Sequence, residues 1–268
     1  MEYDPIKKSL GKVFNSTPVL RILFYKLLDL LLLRTWHVKK EIRAWSRGHS
    51  GPAAILDAGM GFGQYSYFLS SFNKDWIIKG VDVKEEQIAD CNAFFQKIGR
   101  ENASFTYADL TAFGEPSRYD FILSVDVMEH ILDDTAVFRN FHRSLRDGGM
   151  VLISTPSDQG GSDVHEHHEG SFIGEHVRDG YNMQEIQEKL RASGFSRTEA
   201  SYQYGKPGQI SWQLSMKYPI LMLGVSKLFF IVLPFYYIIT FPVSLLLNYA
   251  DVKGNHSTGT GLIVKAWK

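Results

Sequence analysis

The chain contains a single cysteine, Cys91, among its 268 residues. An intrachain disulfide is therefore excluded, and we expect a cytoplasmic protein in a reducing compartment. The 29 basic and 29 acidic residues leave no formal net charge, which argues against a nucleic-acid binder, because such proteins usually carry a basic excess. The sequence also shows no internal repeat, no low-complexity tract and no recognisable signal peptide.

Charged residues are missing from one long stretch, residues 228–250. Its length permits a membrane-spanning helix. However, Pro234 and Pro242 interrupt the run, and proline inside a helix breaks or kinks it. We therefore predict two short helices, at residues 220–233 and 235–247, that form a hairpin. Such a hairpin could enter one leaflet of a bilayer, cover the active site, lie in a dimer interface or pack against the N-terminal helix.

The most informative segment is residues 55–63, where an apolar strand ends in Asp57 and runs into Gly59, Gly61 and Gly63. Glycine lets the backbone approach a ligand closely and adopt positive φ at little cost. A helical segment follows at residues 64–72, and the succession of strand, glycine turn and helix opens a nucleotide-binding βαβ unit. The dinucleotide fingerprint would place its third glycine at position 64, which is a glutamine.

Strands and helices alternate beyond this turn. Apolar runs predict strands, amphipathic segments predict helices, and such alternation is typical of a parallel sheet with helices on both faces. The predicted strands lie at residues 53–56, 76–81, 103–107, 119–124, 150–154, 199–204 and 261–267, and the helices at 18–33, 64–72, 84–99, 134–145 and 183–193.

The D-x-G-x-G-x-G pattern from Asp57 to Gly63 resembles motif I of the class I S-adenosylmethionine-dependent methyltransferases. The similarity covers residues 53–200, because Asp82 and Asp109 follow the second and third strands, and residues 124–131 and 145–152 resemble motif IV and the hairpin after it. In its core the chain resembles the O-methyltransferases of ubiquinone biosynthesis.

The resemblance implies an α/β, Rossmann-like, doubly wound sheet of seven strands in the order 3-2-1-4-5-7-6. Strands 6 and 7 pair in that fold, so the apolar insert between them must leave and return on one face. We predict an N-terminal helical arm at 1–50, which could face a membrane, a methyltransferase core at 51–205, the insert at 206–255 and the last core strand at 256–268.

The resemblance also implies S-adenosylmethionine as the cofactor. Asp57 would lie near its methionine end, Asp82 would accept hydrogen bonds from the ribose hydroxyls, and Asp109 would contact the adenine amino group. The full set of predicted cofactor-binding residues is Asp57, Gly59, Gly61, Gly63, Asp82, Asp109, Leu110, Ser124 and Asp126.

Histidines at the same edge of the sheet are candidate general bases, since imidazole titrates near neutral pH. They are His130 after the fourth strand, and His165 and His176 after the fifth. Asp126, Glu129 and His130 also form a D-x-x-E-H pattern. A related pattern holds magnesium in some methyltransferases, but the shorter aspartate makes Mg²⁺ possible and not favoured, so no metal is assigned.

We expect O-methylation of a small apolar or lipid-linked acceptor at a membrane surface. The apolar insert supports this, as does the basic segment 34–47, which carries a local net charge of +4. Taken alone, the segment 34–47 is equally compatible with a helix that covers the core and keeps its charged end in solvent. The expected location is cytoplasmic, peripheral on the inner face of the cell membrane. A sugar or envelope-glycan acceptor, a non-catalytic membrane-associated module and any oligomeric state remain open.

Overall fold

The computed structural model describes residues 17–49, 51–160 and 177–268. The candidate bases His165 and His176 lie outside these residues. Seven strands in the described part form one sheet in the order β3-β2-β1-β4-β5-β7-β6, which confirms the predicted α/β fold and strand order. The strands are β1 (Ala53–Ala58), β2 (Trp76–Asp82), β3 (Ala103–Tyr107), β4 (Tyr119–Val125), β5 (Leu145–Pro156), β6 (Arg197–Gln203) and β7 (Gly261–Trp267).

Strands β1 to β5 run parallel, and β7 runs antiparallel between β5 and β6. The carboxyl ends of β1, β2 and β4 therefore meet at one edge, where doubly wound sheets bind ligands. The helices are α1 (Pro18–Leu31), α2 (Leu33–Ser46), α3 (Gln64–Phe72), α4 (Glu85–Lys97), α5 (Asp134–Ser144), α6 (Met183–Ala192), α7 (Lys206–Trp212), α8 (Tyr218–Val225) and α9 (Phe229–Lys253), with a 3₁₀ turn at Met128–His130 and a π turn at Gln213–Lys217.

Helices cover both faces of the sheet with separate apolar clusters. Phe141 of α5 and Ile186 of α6 are fully buried in the cluster on one face. Ile42 of α2 and Leu69 of α3 are fully buried in the cluster on the other. The alternation of apolar strands with amphipathic helices therefore produces the core that the sequence predicts.

Helix α1 is oriented with its polar side toward the protein. Arg21 and Tyr25 are buried, whereas Val19, Leu23 and Leu31 are exposed. A helix on a water-soluble surface normally shows the reverse arrangement. The outer face of α1 is therefore suited to an apolar environment.

The basic segment 34–47 is a helix that covers the core, which is one of the two roles left open by the sequence. Lys39 forms an ion pair with Asp29, and its ammonium group lies 4.2 Å from the centroid of the Phe68 ring. Lys40 Nζ donates to the carbonyl oxygen of Val252 at 2.7 Å, and Arg34 pairs with Asp126. Three of its five basic side chains therefore bind partners within the chain, whereas Arg43 and Arg47 are exposed, and a membrane-facing role for this segment stays a prediction.

The prediction of two short helices that meet at Pro234 is wrong. Helix α9 continues through both prolines from Phe229 to Lys253, and the first leg of the hairpin consists of α7, the π turn and α8. Each proline removes one main-chain hydrogen bond. The packing of α9 along the first leg offsets this loss, with the hydroxyls of Tyr236 and Tyr237 donating to main-chain carbonyls there at 2.8 and 2.9 Å. The insert still leaves the core and returns to it.

Helix α9 has the same inverted arrangement as α1. Its buried residues include Ser244, Asn248 and Asp251, whereas Ile238 and Ile239 are 70% and 72% exposed. Within the described part of the chain, α9 is the one helix with the length and composition to cross a membrane.

Candidate active site

The glycine turn connects β1 to α3 at the ligand-binding edge of the sheet. Gly59, Gly61 and Gly63 have φ values of 78°, 51° and 74°, which residues with a side chain rarely adopt. The main-chain N–H groups of Gly59 and Met60 donate to the carbonyl oxygen of Val81 at 2.9 and 3.0 Å and so tie the turn to β2. A Cβ at Gly61 would approach only Gln87 within 4 Å, so the backbone there is open to a ligand. The assignment of this turn to the cofactor stays a prediction.

Asp82 lies directly opposite this turn. Its carboxylate accepts hydrogen bonds from the main-chain N–H groups of Gly61 and Lys84, each at 3.0 Å. These bonds fix the carboxylate at the tip of β2, in the position that the resemblance assigns to the ribose hydroxyls. Its role as a cofactor ligand stays a prediction.

Asp57 is 2% exposed and accepts a hydrogen bond from the hydroxyl of Ser66 at 2.5 Å. Burial raises the pKa of Asp57 to about 6, and the hydrogen bonds from Ser66 only partly oppose this rise. Near neutral pH the chain therefore holds a buried negative charge below the glycine turn. Such a charge is suited to the ammonium group of the methionine end of the cofactor.

Asp57→Asn is expected to stabilise the cofactor-free protein at pH 7.5 and to weaken cofactor binding. A carboxyl whose pKa rises on folding favours the folded state below its unfolded pKa, and this contribution is lost as pH rises through about 6. A shift of about two pKa units corresponds to about 2–3 kcal/mol. Urea unfolding of both proteins should show the stability difference growing between pH 4 and pH 7.5. The exposed Asp75→Asn is the matched control, and an equal pH trend in it would contradict the assignment.

Three further predicted cofactor residues differ in exposure. Asp109 is exposed beside a cavity of about 400 Å³, and its Oδ1 accepts from the N–H and the hydroxyl of Thr111 at 2.8 and 2.7 Å. Leu110 is buried, and Ser124 is fully buried with no partner for its hydroxyl among the described residues. The cavity beside Asp109 is compatible with a flat base, and the three assignments stay predictions.

Asp126, Glu129 and His130 do not converge on one point. Asp126 pairs with Arg34, Glu129 is buried and accepts from the Thr155 hydroxyl at 3.1 Å, and His130 is exposed. The described residues contain no group of three or more acidic, histidine or cysteine side chains able to hold a metal ion. We therefore assign no role to Mg²⁺ in the proposed reaction, and His130 stays a candidate base.

The N-terminal arm reaches the glycine turn, which the sequence analysis did not foresee. The hydroxyl of Tyr25 donates to the carbonyl oxygen of Phe62 within the turn, and Arg21 Nη2 donates to the same oxygen at 2.9 Å. Arg21 Nε also donates to the Tyr25 hydroxyl at 2.7 Å. The available signal was the stripe of polar residues at four-residue steps on an otherwise apolar helix. Helix α1 thus covers the turn on one side.

Part of the chain matches a known protein family. Residues 55–149 match the family model described as "Methyltransferase domain". This match covers about a third of the chain, and over it the chain is similar to the S-adenosylmethionine-dependent methyltransferases, as the motifs predict. S-adenosylmethionine is the methyl donor of that class.

Two groups of curated relatives share the core. A phosphoethanolamine N-methyltransferase from Triticum aestivum is 32% identical over 143 residues, which is 53% of this chain and 27% of the relative. A ubiquinone biosynthesis O-methyltransferase from Pseudomonas syringae pv. tomato is 28% identical over 103 residues, 38% of this chain and 43% of the relative. The match to the plant relatives spans about a quarter of their length, so it does not transfer their substrates to this chain.

Solved structures support the fold. Phosphoethanolamine N-methyltransferase 2 from Haemonchus contortus, in complex with S-adenosyl-L-methionine, has a TM-score of 0.57 and 21% identity, covering 81% of this chain and 49% of that one. A putative sarcosine dimethylglycine methyltransferase from Galdieria sulphuraria has a TM-score of 0.54 and 18% identity, covering 87% and 83%. At these identities the likeness concerns the fold.

Proposed function

We propose that the protein is an S-adenosylmethionine-dependent methyltransferase that O-methylates a small apolar or lipid-linked acceptor at the inner surface of the cell membrane. The chemistry rests above all on the glycine turn, with its three positive-φ residues facing Asp82. The membrane part rests on α1 and α9, which bury polar side chains and expose apolar ones. The name of the bacterial O-methyltransferase relative supports an oxygen acceptor.

In the proposed reaction, the residues of the chain position the two reactants and exclude water from the site. When bound, S-adenosylmethionine supplies an electrophilic methyl group on a sulfonium. The buried Asp57 holds a negative charge near the methionine end, and Arg21 and Tyr25 fix helix α1 over the turn. Holding the two reactants in line accounts for much of the rate enhancement in such a transfer. An oxygen acceptor also needs a base, for which His130, His165 and His176 are the candidates.

A second acceptor class is an amine that carries a phosphate, the class named in the plant relatives. One observation favours it. The guanidinium of Arg34 lies at the end of β4, beside Asp126, where it can bind an anionic group. Phosphoethanolamine therefore belongs in any acceptor screen.

The chemical proposal is tested by methyl transfer from radiolabelled S-adenosylmethionine to a bacterial lipid extract and to phosphoethanolamine. We expect label in an apolar lipid fraction, and Asp82→Ala is expected to abolish transfer through lost cofactor binding. Label only in phosphoethanolamine would replace the first acceptor class by the second, and label in a glycan-linked fraction would favour that acceptor. Cofactor binding without transfer to any fraction would favour a non-catalytic module.

The membrane proposal predicts attachment driven by apolar contact. The protein should sediment with phosphatidylcholine–phosphatidylglycerol vesicles even at about 1 M salt, where charges are screened beyond about 3 Å. The double substitution Ile231→Glu and Ile238→Glu on the exposed face of α9 should release it. Ile77→Glu, at a residue of β2 that is 67% exposed, is the matched control and should leave binding unchanged. Release by salt, or persistence in the double variant, would remove α9 as the anchor.

A further inference from the structure

Arg34 connects the N-terminal arm to the carboxyl end of the sheet. It is the second residue of α2, and its guanidinium forms an ion pair with Asp126, which follows β4. Its main-chain N–H donates to the hydroxyl of Tyr204 at 3.2 Å, directly after β6. Burial raises the pKa of Tyr65 nearby, and the charge of Arg34 opposes the rise. Arg34 therefore stands within a cluster of hydroxyls and one carboxylate at the edge where the methyl acceptor must lie.

The guanidinium has unused hydrogen-bonding capacity. Arg34 Nε is buried and has no hydrogen-bond partner among the described residues, although the side chain as a whole is 30% exposed. An unpaired buried donor is costly, and native proteins seldom retain one without a reason. A guanidinium presents five N–H donors in a planar fork that matches the oxygens of a carboxylate or a phosphate. A small rotation of this partly exposed side chain would let such an oxyanion accept the remaining hydrogen bonds of the guanidinium.

Two of the residues that contact Arg34 have an uncommon backbone conformation. Asp126 has a φ of 52° and Tyr204 a φ of 56°, and in the described part of the chain Ser117 is the one other non-glycine residue with positive φ. Such conformations cost free energy and concentrate at binding and catalytic sites. Their coincidence around one arginine indicates a site built for a ligand.

The cluster lies where both apolar elements join the core. Arg34 follows the junction of α1 with α2, and Tyr204 lies two residues before α7, the first helix of the hairpin. The main-chain N–H of Tyr204 also donates to Asp251 of α9 at 3.2 Å. A molecule with its polar group at Arg34 therefore has apolar protein surface on either side of its point of entry.

We infer that Arg34, held by Asp126 and Tyr204, binds an oxyanion of the methyl acceptor, so that the acceptor is an amphiphile with a carboxylate or phosphate near its polar end. This inference rests on the proposed methyltransferase function and narrows its substrate class. The carboxylate of Asp126 shares the guanidinium with the bound oxyanion. Because both groups are negative, Asp126 weakens the binding of the oxyanion. The apolar part of the acceptor remains beside the exposed faces of α1 and α9.

The test is calorimetric binding of octyl phosphate, octanoate and octanol to the full chain saturated with S-adenosylhomocysteine. We expect one of the two anions to bind at least tenfold more tightly than octanol, and the preferred one identifies phosphate or carboxylate chemistry. Arg34→Gln should remove this preference, whereas Asp126→Asn should strengthen anion binding severalfold. Arg43 is an exposed arginine on the same helix, and Arg43→Gln should leave the preference for the anion unchanged.

Three results would overturn the inference. They are equal binding of octanol and both anions, equal effects of the Arg34 and Arg43 variants, and loss of S-adenosylhomocysteine affinity in Arg34→Gln, which would assign the arginine to the cofactor. Thermal unfolding of each variant checks that it is folded. Failure of the unmodified chain to bind S-adenosylhomocysteine would instead contradict the proposed function itself, so the two failures are distinguishable.

Discussion

Gly59→Ala is expected to lower the free energy of unfolding by about 2–4 kcal/mol and to weaken S-adenosylhomocysteine binding at least tenfold. Gly59 has a φ of 78°, and an alanine Cβ there would lie 2.2 Å from Cγ2 of Val127. The backbone strain costs about 1 kcal/mol or more, and the collision adds about 1–3 kcal/mol. The turn must shift to relieve the contact, which moves the backbone that faces the cofactor. Urea unfolding and calorimetry measure the two effects.

The chain contains a matched control for this substitution. Gly148 also has a φ of 78°, but a Cβ there would have no neighbour within 4 Å. Gly148→Ala should therefore show only the backbone term, about 1 kcal/mol, with unchanged cofactor binding. In a double-mutant cycle, Val127→Ala should recover part of the loss caused by Gly59→Ala. Equal effects of the two glycine substitutions would show that the contact with Val127 has no role.

Asp251→Ala is expected to lower the free energy of unfolding by about 3–5 kcal/mol, because it leaves at least two buried donors without their acceptor, at about 1–3 kcal/mol each. The Asp251 carboxylate is fully buried and lies 2.8 Å from Nε2 of His37 and 3.3 Å from Nε2 of His256. It also accepts from the main-chain N–H groups of Tyr204 and Gly208 at 3.2 and 3.0 Å. Burial alone would raise the pKa of Asp251, but His37 and His256 outweigh it and hold the pKa below its usual value.

The same substitution should loosen the helical hairpin. Asp251 joins the last turns of α9 to α2 through His37 and to the start of α7 through Gly208. Hydrogen exchange should therefore increase in α7 and α9 more than in the strands of the sheet. Asp251→Asn keeps an acceptor oxygen and should cost less. Asp147→Ala removes a carboxylate whose side chain is 99% exposed and should have little effect. A loss in Asp251→Ala no greater than in Asp147→Ala would show that the buried network does not hold the hairpin.

Helices α1 and α9, which turn their polar residues inward, and the buried contacts of Asp251 are parts of one arrangement. The arm and the hairpin expose apolar side chains and attach to the core through polar ones. The arm attaches to the glycine turn through Arg21 and to Asp126 through Arg34, and the hairpin attaches through Asp251 to Tyr204, directly after β6. This arrangement supports the proposed function, in which the acceptor is lipid-like and the protein lies at a membrane surface.

The sequence by itself was sufficient for features that depend on neighbouring residues. The turn from Asp57 to Gly63 requires positive φ within a few residues, and only glycine accepts such values freely. Helix α3 and strands β3 and β7 have the predicted bounds, because short-range hydrophobic periodicity defines them. The strand order followed from the family resemblance, and S-adenosylmethionine as the cofactor of this class followed with it.

Only the tertiary structure decided the features that depend on distant partners. The ion pair of Arg34 with Asp126 joins residues 92 positions apart, and the hydrogen bond between His37 and Asp251 joins residues 214 apart. No local pattern encodes such contacts. For the same reason the prolines of α9 did not end it, since packing against the first leg of the hairpin compensates for the lost main-chain bonds. The direction in which α1 and α9 turn their polar residues was likewise settled by the buried partners available to Arg21 and Asp251.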